Sequence, residues 1–427
     1  MTLLEHLKGD PSDLIEDWRS QGWPAQACLK IVSFELPSPW LGAGVVTSLT
    51  AVYLIDASGI KSLFVTDREI PGCESTDVMV VQEKLRAGAG AVNFDLRGPL
   101  KLAPIRIPKP WGQEIWYTGI EERGVCCFSE GSARTPLPWL QACVPDDLLG
   151  VSGMPPVLLK ILDPSAEPVT GDLYFELHDE KREVYVVTHI DPGAWPDGVG
   201  AIRYGFDSDR VAAAGSEDAF RGEYLAAVKR YEVVRRALDS SPAPATPELV
   251  EQERALRAAM DAFTSLRPLQ VGDVVRVPLL LPHSLQHGVR TVEFQTPVYE
   301  RQILAFAQRV LTQDHWDTEL AVGRMMLLAP EDEPFQLLID LPGVSVERIV
   351  DFEDFEVFRV TLTTDVGWAP MLDASYAVVM VIEGALEIAG QALTAEEAVI
   401  LPRFSESELR TPDADTEAVA LVALPRR

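Results

Sequence analysis

The chain has 427 residues, enough for two to four domains at roughly 100–200 residues each, and 47% of them are hydrophobic, enough for folded cores. Its 65 acidic and 37 basic residues give a net charge of −28, which argues against nucleic acid or an anionic membrane as a partner. Any phosphate site must therefore be locally basic. The sequence contains no run of about 18 apolar residues, so we expect no transmembrane helix. Five cysteines without paired spacing favour a reducing, cytoplasmic location.

The first 103 residues predict a separate α+β region. Ile15 and Trp18 lie on one face of an amphipathic helix. The runs 45–55 and 61–65 are apolar and β-branched, and an Asp-Ala-Ser-Gly turn signal separates them, which predicts a β-hairpin. The region contains no recognisable catalytic motif, and its role is left open.

From Lys109 onwards the chain predicts many short strands with Pro and Gly between them, a pattern typical of a β-barrel or sandwich. The strand candidates are Trp116–Tyr117, Val125–Phe128, Val157–Leu162, Leu173–Leu177, Val184–Thr188 and Val274–Leu281. A helical insertion at 208–267 interrupts them. Ser216 and Thr246 are the predicted N-caps of its two helices, whose apolar stripes indicate core packing.

Residues 321–427 predict a second all-β domain that repeats the strand-Gly and strand-Pro order of the first. This stretch contains no histidine. After its Pro402 it has Arg403, where the first domain has His283. The predicted architecture is therefore mainly β, with domains at 1–103, 104–320 and 321–427. Only the domain at 104–320 would hold a metal.

The predicted domain at 104–320 contains four side chains suited to metal binding. Glu176 and His178 differ by two positions, so both leave one face of a strand. Glu183 opens the next strand, and a hairpin between the two strands would bring its carboxylate back beside them. His283 would supply a fourth ligand from a distant strand. Two imidazoles and two carboxylates suit Zn²⁺, with Mn²⁺ or Fe²⁺ as alternatives.

These residues resemble the two cupin motifs. The first motif corresponds to Gly171, Glu176, His178 and Glu183, and the second to Gly272, Pro278, His283 and His287. His287 would be a partner of the metal ligands rather than a ligand itself. The resemblance implies two cupin (jelly-roll β-barrel) domains.

Further stretches resemble the type I mannose-6-phosphate isomerase family over about residues 105–427. Lys109-Pro110-Trp111-Gly112 resembles the family's opening motif, and the stretch 288–297 (GVRTVEFQTP) resembles its second long motif. The resemblance implies isomerisation of mannose 6-phosphate to fructose 6-phosphate through a cis-enediol. It also implies that Lys160, Lys181 and Arg301 bind the sugar phosphate, with Lys181 and Arg301 taking part in catalysis.

The chain departs from the family pattern at Glu176, where the family has Gln, and in the short loop 179–182. Glu176 adds a negative charge to the predicted metal site. Two alternatives therefore stay open. One is a metal cupin of another class, such as an Fe²⁺ dioxygenase or a sugar epimerase. The other is a non-catalytic sugar-binding protein that keeps the scaffold, since one fold supports many functions.

Overall fold

The computed structural model describes residues 4–70, 78–150, 154–241, 244–363, 366–370, 373–405, 408–412 and 416–426. Strands take up 41% of the residues and helices 21%, so the predicted mainly β class is confirmed. Among the described residues, no helix has both the length and the apolar character needed to cross a membrane. The cytoplasmic location stays a prediction.

The helices and strands follow one another along the whole chain. The helices are α1 (Pro11–Gln21), a 3₁₀ turn (Pro39–Leu41), α2 (Val78–Ala89), α3 (Leu137–Gln141), α4 (Asp146–Leu149), α5 (Ser208–Ala213), α6 (Glu217–Ser240), α7 (Pro247–Asp261) and α8 (Thr318–Ala321). The strands before the helical insertion are β1 (Leu4–Lys8), β2 (Cys28–Pro37), β3 (Val46–Asp56), β4 (Gly59–Thr66), β5 (Leu100–Ala103), β6 (Ile105–Lys109), β7 (Gly112–Trp116), β8 (Ile120–Glu121), β9 (Gly124–Val125), β10 (Cys127–Glu130), β11 (Ala133–Pro136), β12 (Leu158–Pro164), β13 (Phe175–Leu177), β14 (Glu183–Ile190) and β15 (Gly200–Phe206). The strands after it are β16 (Thr264–Leu269), β17 (Val274–Val277), β18 (His283–Leu285), β19 (Val289–Gln295), β20 (Gln302–Ala305), β21 (Gln336–Leu341), β22 (Val344–Asp351), β23 (Phe355–Thr363), β24 (Tyr376–Glu383), β25 (Ala385–Ile388), β26 (Gln391–Thr394), β27 (Ala398–Pro402), β28 (Leu409–Arg410) and β29 (Glu417–Pro425).

The chain forms two compact units. Unit 1 comprises Met1–Ile105, Trp116–Leu159 and Phe335–Arg427, and unit 2 comprises Arg106–Ile115 and Lys160–Pro334. This division differs from the three consecutive domains expected from the sequence. The reason lies in strand pairing, because β5 pairs with both β10 and β27 and so joins residues near position 100 to the C-terminal sheet.

The N-terminal part of unit 1 is α+β, as the sequence predicts. A four-stranded sheet has the order β1-β2-β3-β4, and β3 and β4 form the expected hairpin. Asp10 caps α1 by accepting a hydrogen bond from the backbone N–H of Ser12. The apolar face of α1 buries Ile15 and Trp18, and the Trp18 ring meets the ring of Tyr53 edge to face at 5.4 Å.

The C-terminal part of unit 1 contains a nine-stranded sheet of order β11-β10-β5-β27-β24-β29-β23-β22-β21. Alternate residues of β23, β24 and β29 point into one apolar core, as the period of two in a strand requires. Val360, Val379 and Val422 belong to this core and are fully buried. The existence of a second cupin barrel stays a prediction, but these residues are all-β as expected.

Unit 2 has two sheets, with orders β17-β14-β19-β12-β7-β6 and β16-β15-β18-β13-β20. Apolar residues of both sheets, among them Val275 and Ile303, belong to one buried core. The predicted hairpin between 176–178 and 183 onwards is wrong: β13 pairs with β18 and β20, while β14 pairs with β17 and β19. The short connection 179–182 leads from one sheet to the other.

The helical insertion contains α5, α6 and α7. Ser216 and Thr246 are the N-caps of α6 and α7, as the sequence predicts, because their side chains accept hydrogen bonds from the N–H groups of Ala219 and Leu249. The apolar stripe of α6, which includes Phe220 and Tyr224, packs in a core with residues of β13 and β20. The stripes are core packing, as expected.

Replacing Gly112 by Ala is expected to destabilise the protein by about 2–4 kcal/mol. Gly112 has a φ of +149°, and a Cβ there would lie 2.4 Å from the backbone oxygen of Asp163 and 3.0 Å from the Cα of Pro164. Both strain and overlap oppose the substitution. Chemical denaturation measures the change in the free energy of unfolding. Gly222→Ala in α6 is the control, because open space surrounds that Cβ position and the helix should gain about 0.5–1 kcal/mol.

Candidate metal centre

The strand register of unit 2 brings distant ligand-type side chains together. Glu176 of β13 lies directly opposite His283 of β18. His178 follows β13, and Glu183 opens β14. Ligand atoms of Glu176, His178 and His283 all lie within 4.8 Å of one another. Glu183 Oε2 lies 3.5 Å from His178 Nε2 and 3.1 Å from His283 Nε2. The structure therefore brings together all four predicted metal ligands, hereafter the ligand cluster.

Both imidazoles of the ligand cluster have the same tautomer. His178 Nδ1 lies 2.9 Å from the carbonyl oxygen of Glu300, and His283 Nδ1 lies 3.0 Å from that of Leu281. A carbonyl oxygen only accepts, so each Nδ1 must donate a hydrogen. In a neutral imidazole this leaves the Nε2 lone pair available, and both Nε2 atoms point towards Glu183. Backbone hydrogen bonds of this kind orient the histidine ligands of protein metal sites.

The Nε2 lone pairs face a carboxylate oxygen, an arrangement that repels unless a proton or a cation lies between them. Burial, and then the charge of Lys181, lower the pKa of His178, so its imidazole is neutral at neutral pH. His178 Nε2 and Glu176 Oε2 are buried and make no hydrogen bond with any described residue. Buried acceptors without donors are costly. A divalent cation would satisfy them, so the residues fit a metal.

The carboxylate of Glu183 is held ionised. Burial opposes its charge, but the Lys181 ammonium outweighs burial and holds the pKa of Glu183 well below its ordinary value. Lys181 Nζ lies 2.5 Å from Glu183 Oε1, and the Tyr185 hydroxyl donates to Glu183 Oε2 at 2.7 Å. Burial and the charge of Glu183 raise the pKa of Tyr185 well above its ordinary value, so its proton stays in place.

Lys160, a predicted substrate-binding residue, lies on β12 and is buried among carboxylates. Its Nζ is 3.2 Å from Glu293 Oε2 and 3.9 Å from Glu114 Oε1. Burial opposes its charge, but Glu293 and Glu114 raise the pKa of Lys160. The pKa of Glu293 is itself raised well above its ordinary value, first by burial and also by the charge of Glu183. These contacts occupy the ammonium group, and substrate binding by Lys160 stays a prediction.

Arg301 lies beside the ligand cluster and retains some exposure. One guanidinium nitrogen is 3.9 Å from Glu176 Oε2, and another donates to the Thr312 hydroxyl at 3.0 Å. The guanidinium lies over the ring of Tyr174, 4.6 Å from its centre. Burial opposes ionisation of Glu176, but the charge of Arg301 holds its pKa below the ordinary value.

His287 has its described contacts elsewhere. Its Nδ1 lies 2.7 Å from Asp172 Oδ1, and its ring stacks on Trp195 with centres 4.9 Å apart. Neither contact involves a proposed metal ligand. Among the described residues, no hydrogen bond links the His287 side chain to the ligands that it was predicted to support. Its role stays a prediction.

Three residues near the ligand cluster escaped the sequence analysis. Glu300 accepts from His178 through its carbonyl and from the backbone N–H of Asp179 through Oε2, at 2.8 Å, which fixes the loop that carries the imidazole. Tyr185 donates a hydrogen bond to the Glu183 carboxylate, and the Glu293 carboxylate lies 3.2 Å from the Lys160 ammonium. For Tyr185 the available signal was the alternation of polar and apolar residues in Glu183-Val184-Tyr185, because a polar residue two positions from a ligand shares its face.

Metal content is expected to persist below the ordinary imidazole pKa of 6.5 as pH falls. Ligation needs the neutral imidazole, and the lowered pKa of His178 means that protons compete only at lower pH. Equilibrium dialysis against Zn²⁺ between about pH 8 and pH 5 measures the occupancy. Half-occupancy at or above pH 6.5, under conditions of excess metal, would contradict the expectation.

Comparisons with known proteins place the fold. The structure matches mannose 6-phosphate isomerase from Bacillus subtilis with a TM-score of 0.55 and 16% identity, over 76% of this chain and 99% of that chain. A zinc-bound mannose 6-phosphate isomerase matches with a TM-score of 0.55 and 13% identity, over 77% and 100%. A mutant of phosphomannose isomerase from Salmonella typhimurium matches with a TM-score of 0.55 and 14% identity, over 77% and 100%.

No family model matches the chain, and no curated protein matches it in sequence. The chain therefore shares the fold of mannose-6-phosphate isomerases and has a candidate metal centre within it. At these identities the likeness concerns the fold alone.

Proposed function

We propose that the chain is a metal-dependent aldose–ketose isomerase that converts mannose 6-phosphate to fructose 6-phosphate through a cis-enediol. The observation that carries the proposal is the convergence of the His178 and His283 Nε2 atoms on one oxygen of Glu183, with Glu176 beside them. The fold shared with isomerases of this substrate supports it, and so do the basic residues close to the cluster.

The donor set of the ligand cluster suits Zn²⁺, with Mn²⁺ or Fe²⁺ as alternatives. A divalent cation held there would supply a Lewis acid for the oxygens at C1 and C2 of a sugar. Glu300 and Leu281 hold the two imidazoles in the required tautomer through their carbonyl groups. Glu183 is fixed from both sides, by Lys181 and by Tyr185.

Two basic side chains are suited to act on the substrate. Lys181 is buried at 7% exposure, and its Nζ lies 2.5 Å from Glu183, beside the ligand cluster. This position supports a role for Lys181 as the proton carrier for the transfer between C2 and C1. Arg301 is less buried, and its guanidinium is loosely paired with Glu176 at 3.9 Å, so it suits a phosphate group.

The test is a coupled assay for fructose 6-phosphate formed from mannose 6-phosphate, run in parallel in D₂O. A proton shuttle through a cis-enediol predicts deuterium at the migrating position whenever the carrier exchanges with solvent. Arg301→Gln should raise the KM for mannose 6-phosphate more than tenfold and should change turnover less. Arg309→Gln is the control, because Arg309 is an exposed arginine of the same unit. Absence of conversion by the metal-loaded wild type would contradict the proposal.

A second candidate is an Fe²⁺ oxygenase. Two histidines and one carboxylate, here His178, His283 and Glu176, are also the ligand set of non-haem iron oxygenases. Glu176→Gln separates the two functions. An isomerase should keep its metal and its activity, because the related isomerases have Gln at this position by resemblance. An oxygenase should lose Fe²⁺ affinity with the lost charge.

A further inference from the structure

A cavity of about 760 Å³ lies in the C-terminal part of unit 1 and contains none of the four proposed metal ligands. Its apolar wall consists of Leu338, Ile339, Val346, Phe358, Trp368, Ala369, Pro370, Ala374, Leu424 and Pro425, and its charged wall of Arg348, Glu356, Asp373, Arg403 and Arg426. We refer to it as the C-terminal cavity. Its volume falls within the ~300–1,000 Å³ of small-molecule sites.

Most of the charges on this wall neutralise one another. Arg348 pairs with Glu356 at 3.1 Å and with Asp351 at 2.9 Å. Arg426 pairs with the same two carboxylates, at 3.1 Å from Glu356. Two guanidinium groups and two carboxylates thus form a closed network, which leaves little net charge for a ligand.

Arg403 differs from the other arginines of the cavity. No described residue forms an ion pair with it, and its Nε is buried without a hydrogen-bond partner. Its guanidinium lies over the ring of Phe404, 5.0 Å from the ring centre. Phe404 is 71% exposed and has a φ of +70°, a strained conformation of the kind that concentrates at ligand sites.

The position of Arg403 in the sequence fits a ligand site. It directly follows Pro402, the last residue of β27, as His283 directly follows Pro282. A guanidinium that pairs with no described carboxylate and lies beside an apolar wall suits an anion attached to an apolar body. Because no described carboxylate pairs with Arg403, its guanidinium can balance one negative charge of a ligand, which suits a monocarboxylate better than a doubly charged phosphate.

We propose that the C-terminal cavity binds a small monocarboxylate with an apolar body, whose carboxylate pairs with Arg403 and whose body packs against Phe358 and Trp368. Binding here is separate from the proposed isomerisation. It gives the histidine-free C-terminal region a ligand-binding role of its own.

The test is isothermal titration of the full chain with 4-phenylbutyrate, with uncharged 4-phenylbutanol and with phenyl phosphate. We expect 4-phenylbutyrate to bind with a dissociation constant below about 1 mM, as its size allows. Arg403→Gln should weaken this binding about tenfold or more, the effect of losing a hydrogen bond to a charged group. The alcohol should bind more weakly than the acid, and the variant should change its affinity less than about twofold.

Two further variants complete the design. Arg410→Gln is the matched control, because Arg410 is an exposed arginine on β28, paired with Glu408, and does not line the cavity. Ala369→Trp places a large side chain at an exposed position of the cavity wall and should abolish binding of acid and alcohol alike.

Three results would overturn the proposal. The first is no heat of binding up to about 10 mM acid, a concentration well above the expected dissociation constant. The second is equal affinity of the acid for the wild type and for Arg403→Gln, provided that the thermal transition shows both to be folded. The third is tighter binding of phenyl phosphate than of 4-phenylbutyrate, which would reject the carboxylate.

Discussion

Replacing His283 by Ala is expected to lower the affinity for Zn²⁺ by more than about 100-fold and to remove isomerase activity with it. Loss of a residue that merely supports a ligand costs 10–100-fold, and the loss of a direct ligand should exceed this. The substitution removes the Nε2 atom that lies 3.1 Å from Glu183 Oε2 and opposite Glu176 in the strand register. A competitive chelator titration measures the affinity.

The control for His283→Ala is His189→Ala, which removes an exposed imidazole of β14 in the same unit. It should leave the Zn²⁺ affinity unchanged. His283→Gln keeps a side chain of similar reach in the buried position, so it separates loss of the ligand from loss of the fold. Wild-type affinity for Zn²⁺ in a folded His283→Ala protein would show that the cation lies elsewhere.

Replacing Lys160 by Met should destabilise the protein by about 3–5 kcal/mol, the usual effect of breaking a buried ion pair from one side. Lys160 is 8% exposed, and it balances Glu293 and Glu114 inside unit 2. Without Lys160 the folded state disfavours ionised Glu293 still more, while the unfolded chain ionises it freely. The loss of stability should therefore grow as pH rises and shrink as pH falls.

Urea denaturation at several pH values measures this effect. The double variant Lys160→Met with Glu293→Gln should recover most of the lost stability, because the charge of Glu293 is removed with that of Lys160 and Glu114 keeps its ion pair with Lys109 at 3.0 Å. Lys229→Met is the matched control. Its ion pair with Glu319 is exposed, so the change should stay within about 1 kcal/mol. A Lys160→Met protein as stable as this control would contradict the account of Lys160.

The sequence predicted the local features of this fold well. The caps Ser216 and Thr246, the helix containing Ile15 and Trp18, and the β3–β4 hairpin all follow from short-range patterns. In each case the residues that decide the structure are close neighbours in the chain, so their preferences can be seen in a short window of sequence.

The environment of the candidate site was less predictable. The side chains of Glu183 and His283 are in contact although a hundred positions separate them in the sequence. Lys160 and Glu293 are in contact over a still longer sequence separation. β14 pairs with β17 and β19, which are distant from it in the sequence. No local sequence pattern encodes this pairing. The ligand positions could be predicted because their spacing resembles a known motif, whereas the buried carboxylates that set their charge have no such spacing.

The same limit applies to the division into units. The sequence predicted a separate region at 1–103 because the helix and strand patterns within this stretch are typical of an α+β domain. The pairing of β5 with β27, which places Lys101 opposite Val399, joins it to the C-terminal sheet instead. Strand pairing over such distances depends on complementarity between two surfaces and leaves no short-range signal.

The central claim is that Glu176, His178, Glu183 and His283 together hold a divalent cation on which sugar isomerisation depends. The most direct measurement follows metal content and mannose 6-phosphate conversion on one preparation, before and after chelation and after Zn²⁺ is returned. The account predicts about one metal ion per chain, loss of conversion with the metal, and recovery of both. Conversion that continues unchanged in the fully chelated protein would contradict it.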